Sequence, residues 1–307
     1  FLLEAFSAAG IYAFSMNLLE VAHGGNKVFY AVFHGISIFC HSGFTLLRGN
    51  FSDPVTNHAY IFQLILMGIM VLGGLGFASF FDITSIKRLR QRLLQPEINW
   101  TLQTRISVFG TMATIFFASI LFYFCERNGV LANLKIVETG ITILFNSAGW
   151  FGSGFYAVSP ANFSAFLQYC IMFFMLIGSS SGTFSVLGFG LYFYVSKSFS
   201  SNQNPYKLLA KNALAILFYA LVIILSGTVI SFFYNGEFDF RIHLFHAVSA
   251  FTNTGLSNIS HENYFLQSPV FYILMLLGRI GVPVVSIWFL RKNSEEKIPD
   301  LPEVMLI

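Results

Sequence analysis

Three glycines, Gly43, Gly154 and Gly255, each follow a short apolar segment and open a polar loop. Such positions can carry a chemistry that needs no reactive side chain. Glycine adopts backbone angles closed to other residues at no steric cost, so a loop built on it can turn carbonyl oxygens toward one axis. Rings of carbonyls replace the water shell of a permeating ion. A helix that stops just before the loop adds the partial negative charge of its C-terminus, so a cation is the natural occupant. Ordinary loop glycines are the alternative; they explain one copy more easily than three at matching positions.

The elements that must hold these glycines repeat. Met70-Val71-Leu72-Gly73, Met175-Leu176-Ile177-Gly178 and Met275-Leu276-Leu277-Gly278 recur 105 and 100 residues apart. Each follows its loop glycine by 23 to 30 residues. Internal repetition of this kind decides the fold before any local reading. Apolar spans predict full-length helices near residues 1–20, 60–83, 106–124, 163–196, 212–234 and 269–290, the fourth interrupted by Gly178–Gly182. Between them lie the apolar segments Val28–Phe39, Leu134–Ala148 and Phe240–Phe251. At 12 to 15 residues each is too short to cross a bilayer and fits a re-entrant half-helix. Non-helical backbone at membrane depth survives only when buried in protein or lining a watery cavity. Each unit therefore reads as helix, half-helix, glycine loop, helix.

Composition agrees. Hydrophobic residues make up 55% of the 307-residue chain and charged residues 10%, against about 25% charged in soluble domains. Mean hydropathy is +0.69. A net charge of +3 carries no nucleic-acid signature. The basic residues divide unevenly. Lys87, Arg88, Arg90, Arg92, Arg105, Lys197, Lys207, Lys211, Arg291, Lys292 and Lys297 make eleven on one side; Lys27, Arg48, Arg127, Lys135 and Arg241 make five on the other. The richer side is expected to be cytoplasmic, and the chain a multi-pass protein of the inner (plasma) membrane. Cys40, Cys125 and Cys170 show neither disulfide nor metal spacing and read as small hydrophobes. The start at Phe1, without Met or a signal-peptide pattern, suggests a fragment or a missing N-terminal part.

The polar exceptions are few. Arg279 stands in an apolar helix, aligned with Gly74 and Ser179. A charge at that depth is costly and usually faces a cavity. Below a carbonyl ring it would raise a barrier to cations; alternatively it pairs with backbone carbonyls of the Gly178–Gly190 segment. That segment, rich in Gly and Ser, can break the helix and form a flexible plug, or serve close helix packing. His34 and His246 occupy equivalent half-helix positions and His41 lies in the first loop. They read as buried hydrogen-bond donors, although paired intramembrane histidines could also hold a haem in a haem or quinone redox enzyme. Asp82 reads as a solvated helix-end charge. No nucleophile–base arrangement, phosphate loop or metal cluster is present, so the chain does not read as an enzyme. A secondary transporter with broken helices is a third reading, but it predicts inverted repeats, whereas these copies share one orientation.

Phe33-His34-Gly35-Ile36-Ser37-Ile38-Phe39, with Gly43-Phe44 after it, resembles the superfamily of K⁺ transporters of the TrkH/KtrB type. The likeness extends through Gly73-Gly74-Leu75-Gly76-Phe77, Phe145-Asn146-Ser147, Gly152-Ser153-Gly154-Phe155, Gly178-Ser179-Ser180-Ser181-Gly182, Thr252-Asn253-Thr254-Gly255-Leu256-Ser257 and Gly278-Arg279-Ile280-Gly281. It covers nearly the whole chain, best in the last unit and least in the middle one. It implies an all-α integral membrane fold in which helix–half-helix–helix repeats surround a pseudo-fourfold pore. Residues 1–86, 106–196 and 212–293 would be the second, third and fourth repeats, joined by linkers 87–105 and 197–211 and followed by a tail, 294–307. No counterpart of the first repeat is visible, so one wall of four is expected to be missing from this chain. The resemblance places K⁺ at carbonyls of a selectivity filter formed by Cys40, His41, Ser42 and Gly43, by Phe151, Gly152, Ser153 and Gly154, and by Thr252, Asn253, Thr254 and Gly255. It makes Gly178, Ser179, Ser180, Ser181, Gly182 and Arg279 a gate. It implies K⁺ uptake, with Na⁺ as second candidate, no cofactor, a homodimer, and a cytoplasmic nucleotide-binding regulatory ring. Two departures stand out: Phe184, Val186, Leu187 and Phe189 make the plug greasier than the family's, and Trp150-Phe151-Gly152-Ser153 replaces its more polar middle filter.

Overall fold

The structure is a computed structural model that describes residues 2–15, 26–47, 49–52, 56, 58–94, 100–178, 205–234, 239–259 and 268–281. Among the described residues the regular structure is all helical. The helices are α1 (Leu2–Ser15), α2 (Lys27–Phe39), α3 (Tyr60–Gly74), α4 (Phe77–Thr84), α5 (Ile86–Leu94), α6 (Leu102–Glu126), α7 (Ile136–Ala148), α8 (Ala165–Gly178), α9 (Pro205–Tyr234), α10 (Phe240–Thr252) and α11 (Pro269–Leu276). The last is continued by a π-helical turn, Leu277–Gly281.

The three expected half-helices are α2, α7 and α10, each 13 residues long. Local chemistry sets their starts. The Asn26 side chain accepts from the Val28 N–H at 3.0 Å, and the Glu138 carboxylate accepts from the Lys135 N–H at 3.1 Å. Both occupy orphan groups at a helix N-terminus. The half-helices also form the packing core: α2 lies against α1 and α3, α7 against α3 and α6, and α10 against α8, α9 and α11. Two apolar clusters result. Phe51, Phe62, Leu66, Phe145 and Phe155 fill one; Phe122, Trp150, Leu167, Phe245 and Phe271 belong to the other.

Ser107–Glu126 and Leu217–Tyr234 are long and apolar enough to cross a membrane. Helix α6 buries Ile115, Ala118 and Phe122 on one face and exposes Phe109, Met112, Phe116 and Phe124 on the other. An outward face of that kind belongs in lipid rather than water. The expected span 60–83 is not continuous. Gly76, with φ 78°, separates α3 from α4, because a left-handed residue cannot propagate a right-handed helix. Of the overlong fourth span, only the part through Gly178 is described.

Asp82 departs from expectation. Its side chain is 2% exposed and anchors α4 to the elements that follow. Arg88 and Arg92 donate to one carboxylate oxygen at 2.6 and 2.7 Å. The Thr101 N–H and the Thr104 hydroxyl donate to the other at 3.0 and 2.8 Å. The basic linker supplies the partners that make burial of this charge tolerable.

Candidate functional site

The half-helices deliver three loops to one place. In each, positive φ occurs at alternate residues: His41 (53°) and Gly43 (73°), Gly152 (145°) and Gly154 (74°), Asn253 (54°) and Gly255 (79°). Such a backbone is neither helix nor strand. A methyl placed on Gly43 would lie 3.4 Å from the Thr254 carbonyl oxygen and 3.5 Å from that of Ser153. On Gly255 it would lie 4.0 Å from the Ser42 carbonyl oxygen, and on Gly154 it would collide with that of Thr254. The carbonyls of Ser42, Ser153 and Thr254, each just before its glycine, therefore gather among the three glycines.

The recurring Met-x-x-Gly string holds these loops. A Cβ on Gly73, Gly178 or Gly278 would run into the carbonyl oxygen of Phe39, Phe151 or Phe251 respectively. Each glycine thus opens the outgoing helix to the end of its half-helix or, in the middle copy, to the π-helical turn that follows it. Three residues earlier, the methionine carbonyls act as acceptors. His41 Nε2 donates to Met70 O at 2.7 Å, and Asn253 Nδ2 to Met275 O at 3.2 Å. His41 is thereby turned toward the outgoing helix. In the middle copy the corresponding residue is Gly152, which has no side chain to donate.

A second set of contacts ties each half-helix to the chain beyond its loop. His34 Nδ1 donates to Tyr30 O, and His246 Nδ1 to Ile242 O, both at 2.9 Å. A carbonyl can only accept, so the proton is on Nδ1 and Nε2 is the acceptor. His34 Nε2 then accepts from the Thr45 hydroxyl at 3.1 Å and the Leu46 N–H at 3.3 Å; His246 Nε2 accepts from the Ser257 hydroxyl at 3.1 Å. Both ring nitrogens of each histidine are engaged, and none is left to ligate a haem iron. The middle copy uses Asn146. Its Nδ2 donates to Thr142 O at 2.7 Å and its Oδ1 accepts from the Val158 N–H at 3.3 Å. Similarly, the Ser37 hydroxyl donates to Phe44 O and the Ser249 hydroxyl to Leu256 O, whereas Gly149 packs its bare Cα against Phe155 O.

The remaining expected residues fall as follows. Cys40 caps α2 and points its thiol at Glu4 of α1, 3.5 Å away. The hydroxyls of Ser42 and Thr254 pair with Ser37 and Thr252 at 2.7 and 2.6 Å, while the fully buried Ser153 hydroxyl has no hydrogen-bond partner among the described residues. Phe151, Gly152, Ser153 and Gly154 are all buried, and the Gly154 carbonyl accepts from Asn50 Nδ2 at 3.2 Å. Arg279 stands in the π-turn, one residue past the contact between Gly278 and Phe251, with an exposed side chain. Ser179, Ser180, Ser181 and Gly182 lie outside the described residues. No group of three or more His, Cys, Asp or Glu able to hold a metal exists among the described residues, so the oxygens that gather here are backbone carbonyls and hydroxyls.

Known proteins share both sequence and architecture with the chain. It is 26% identical over 294 residues to the Ktr system potassium uptake protein B of Vibrio alginolyticus, covering 90% of this chain and 62% of that one. It is 24% identical over 307 residues to the protein of the same name in Bacillus subtilis, covering 92% and 64%. The potassium/sodium uptake protein NtpJ of Enterococcus hirae is 27% identical over 175 residues, 57% of this chain and 37% of that one. No protein-family model matches. The crystal structure of the potassium transporter TrkH from Vibrio parahaemolyticus superposes with a TM-score of 0.65 at 13% identity, covering 94% of this chain and 61% of that one. In sequence the chain is similar to the Ktr potassium uptake proteins, and in fold to TrkH. It spans about three-fifths of the length of the Ktr proteins it matches.

Two further sets of residues brace the loops. Asn50, buried and at φ 57°, accepts from the N–H groups of Phe51 and Tyr156 while donating to Gly154, so the first loop braces the middle one. Gln63 and Gln168, each seven residues before a repeated methionine, bond loop carbonyls: Gln63 that of Thr56, Gln168 those of Pro160 and Phe163. Their equal spacing is a readable signal. Asn50 offers none, because its partner is 104 residues away.

Proposed function

We propose that the chain supplies three walls of a potassium uptake pathway, with sodium as the second candidate, in which carbonyls of Cys40–Gly43, Phe151–Gly154 and Thr252–Gly255 take the place of the ion's water shell. The observation that carries this reading is the gathering of the Ser42, Ser153 and Thr254 carbonyls among Gly43, Gly154 and Gly255. The ends of three half-helices add negative potential at the same place. The names of the sequence relatives, potassium uptake and potassium/sodium uptake, support the same substrate. Within the three segments the favoured oxygens are those of Ser42, Ser153 and Thr254, since Gly154 O is engaged by Asn50. Residues 1–86, 106–196 and 212–293 are the three repeats of this reading.

Arg279, with the segment Gly178–Gly182, is the gate. Its place just past the last half-helix supports that role, because a fixed positive charge beside the ion path opposes cation passage. The eleven basic residues of the linkers and tail support a cytoplasmic position for that side in an inner-membrane protein. A negative interior then favours inward flux by about 2.3 kcal/mol per unit charge per 100 mV, without a bound cofactor. The family resemblance supports a homodimer and a nucleotide-binding regulatory ring on the same side.

Uptake of K⁺ and Rb⁺ into cells lacking other K⁺ uptake systems tests the pathway. Gly43→Val should abolish uptake and Arg279→Ala should raise it. Uptake unchanged by Gly43→Val sinks the filter assignment; unchanged by Arg279→Ala, it sinks the gate.

A further inference from the structure

Helix α5 is amphipathic with its faces exchanged. At about 3.6 residues per turn, Arg88 and Arg92 share one side of it, and Ile86, Leu89 and Leu93 cluster on another, roughly 110° around the helix. The arginine side faces the protein: both guanidinium groups reach the buried Asp82 carboxylate, and Arg92 also donates to the Asp82 carbonyl at 2.9 Å. The apolar side faces away. Ile86 is 82% exposed and Leu93 78%, and Leu89 is exposed with them. Arg90, also exposed, falls on this outward side. A soluble protein would turn such a helix over.

Its neighbours fix the level at which it sits. Ser85 adopts an extended conformation that ends α4 and lets α5 take a new direction. Asp82 ties α5 to Thr101 and Thr104, on the first turn of α6, and the apolar crossing segment of α6 begins only at Ser107. Trp100, partly exposed, packs its ring 6.5 Å from that of Phe109, on the outward apolar face of α6. Tryptophan at the end of a crossing helix marks the headgroup level. Helix α5 thus stands at the end of the α6 crossing segment, at the edge of the hydrocarbon.

We propose that α5 is an interfacial anchor: Ile86, Leu89 and Leu93 enter the headgroup–acyl boundary of the membrane, and Arg90 binds the phosphate of an anionic lipid. The Asp82 cluster is the clamp that presents this face. A helix with apolar side chains on one side and a cation among them gains from both acyl contact and anionic headgroups. The proposal rests on the membrane placement given above and not on which ion is carried, and its test reads no transport, so the two can fail separately.

The test uses the protein carrying Leu93→Trp, with Leu89→Trp as a second position, in vesicles of phosphatidylcholine with or without phosphatidylglycerol. The fluorescence difference between variant and parent is followed with brominated acyl chains and with aqueous iodide. The expected result is strong quenching by brominated lipid, roughly half of the difference signal or more, and weak quenching by iodide. Phosphatidylglycerol should strengthen the lipid quenching, and Arg90→Gln should remove that gain. Free access of iodide in vesicles overturns the proposal. Protection from both quenchers overturns it too, because the face is then covered by another protein segment, a second copy or a partner protein. Lipid quenching indifferent to phosphatidylglycerol overturns the role of Arg90.

Discussion

The middle loop and the two outer ones do the same work with different materials. The first and third copies fasten their loops with side chains: His34 and His246 across the half-helix, Ser37 and Ser249 to the carbonyl after the glycine, His41 and Asn253 to a methionine carbonyl. The middle copy keeps the first fastening through Asn146 and gives up the other two, placing Gly149 and Gly152 where the outer copies have polar side chains. It replaces side-chain hydrogen bonds with close backbone packing, and keeps the five-residue backbone bond, Gly154 N–H to Gly149 O, that the outer copies make from Ser42 to Ser37 and from Thr254 to Ser249. What is common to the three is a set of backbone positions, and side chains are chosen to reach them. Tolerance should differ accordingly: a packed glycine admits nothing larger, while a bonded side chain admits another donor of similar reach.

The widest contrast lies between two loop glycines. Gly154→Ala must bear both a left-handed backbone and a collision with Thr254 O, whereas Gly255→Ala bears the backbone alone, worth about 1–3 kcal/mol. Ion uptake should be lost in the first and reduced in the second; equal loss would mean that packing at the middle loop is not special. Next comes an exchange of the fastening between copies. Gly149→Ser should lower thermal stability by about 1–3 kcal/mol through overpacking against Phe155 O, while Ser249→Gly loses one hydrogen bond and costs less. Melting of both variants in detergent would show it, and a stable Gly149→Ser would erase the distinction. The smallest effect is expected where the copies already agree. His246→Asn imitates Asn146 and should cost less than His246→Leu, which gives up two hydrogen bonds, to Ile242 O and to the Ser257 hydroxyl, about 1–3 kcal/mol together. The same melting curves, taken in pairs, decide it.

Much of this was legible in the residues. The half-helices were expected at Val28–Phe39, Leu134–Ala148 and Phe240–Phe251 and occur at Lys27–Phe39, Ile136–Ala148 and Phe240–Thr252, because apolar length and a following glycine are local signals. Met-x-x-Gly was visible as a repeat but not as a contact: that its glycine receives a phenylalanine carbonyl depends on how two helices cross. Asn146 falls within the family likeness, but its match to His34 and His246 is hidden in the spacing. Counting back from the loop glycine puts Phe145 opposite them, but the middle copy has one residue fewer between Phe151 and Gly154 than the outer copies have between Phe39 and Gly43 or Phe251 and Gly255, which shifts the register by one. Asp82 reads from the sequence as a solvated helix end, since nothing within α4 shows that Arg88, Arg92, Thr101 and Thr104 close over it. The chemistry of the loops was written locally; the fastening of one element to another was written in pairs of distant residues.

The bond from Asn50 to Gly154 makes the central loop a guest of its predecessor. A chain emerging from the ribosome presents Asn50 long before Gly154, so the acceptor comes to a donor already waiting. A lesion confined to the first loop would thus be felt as a defect in the second, and hydrogen exchange at Tyr156, whose N–H also rests on Asn50, would register it at a site where nothing had been changed.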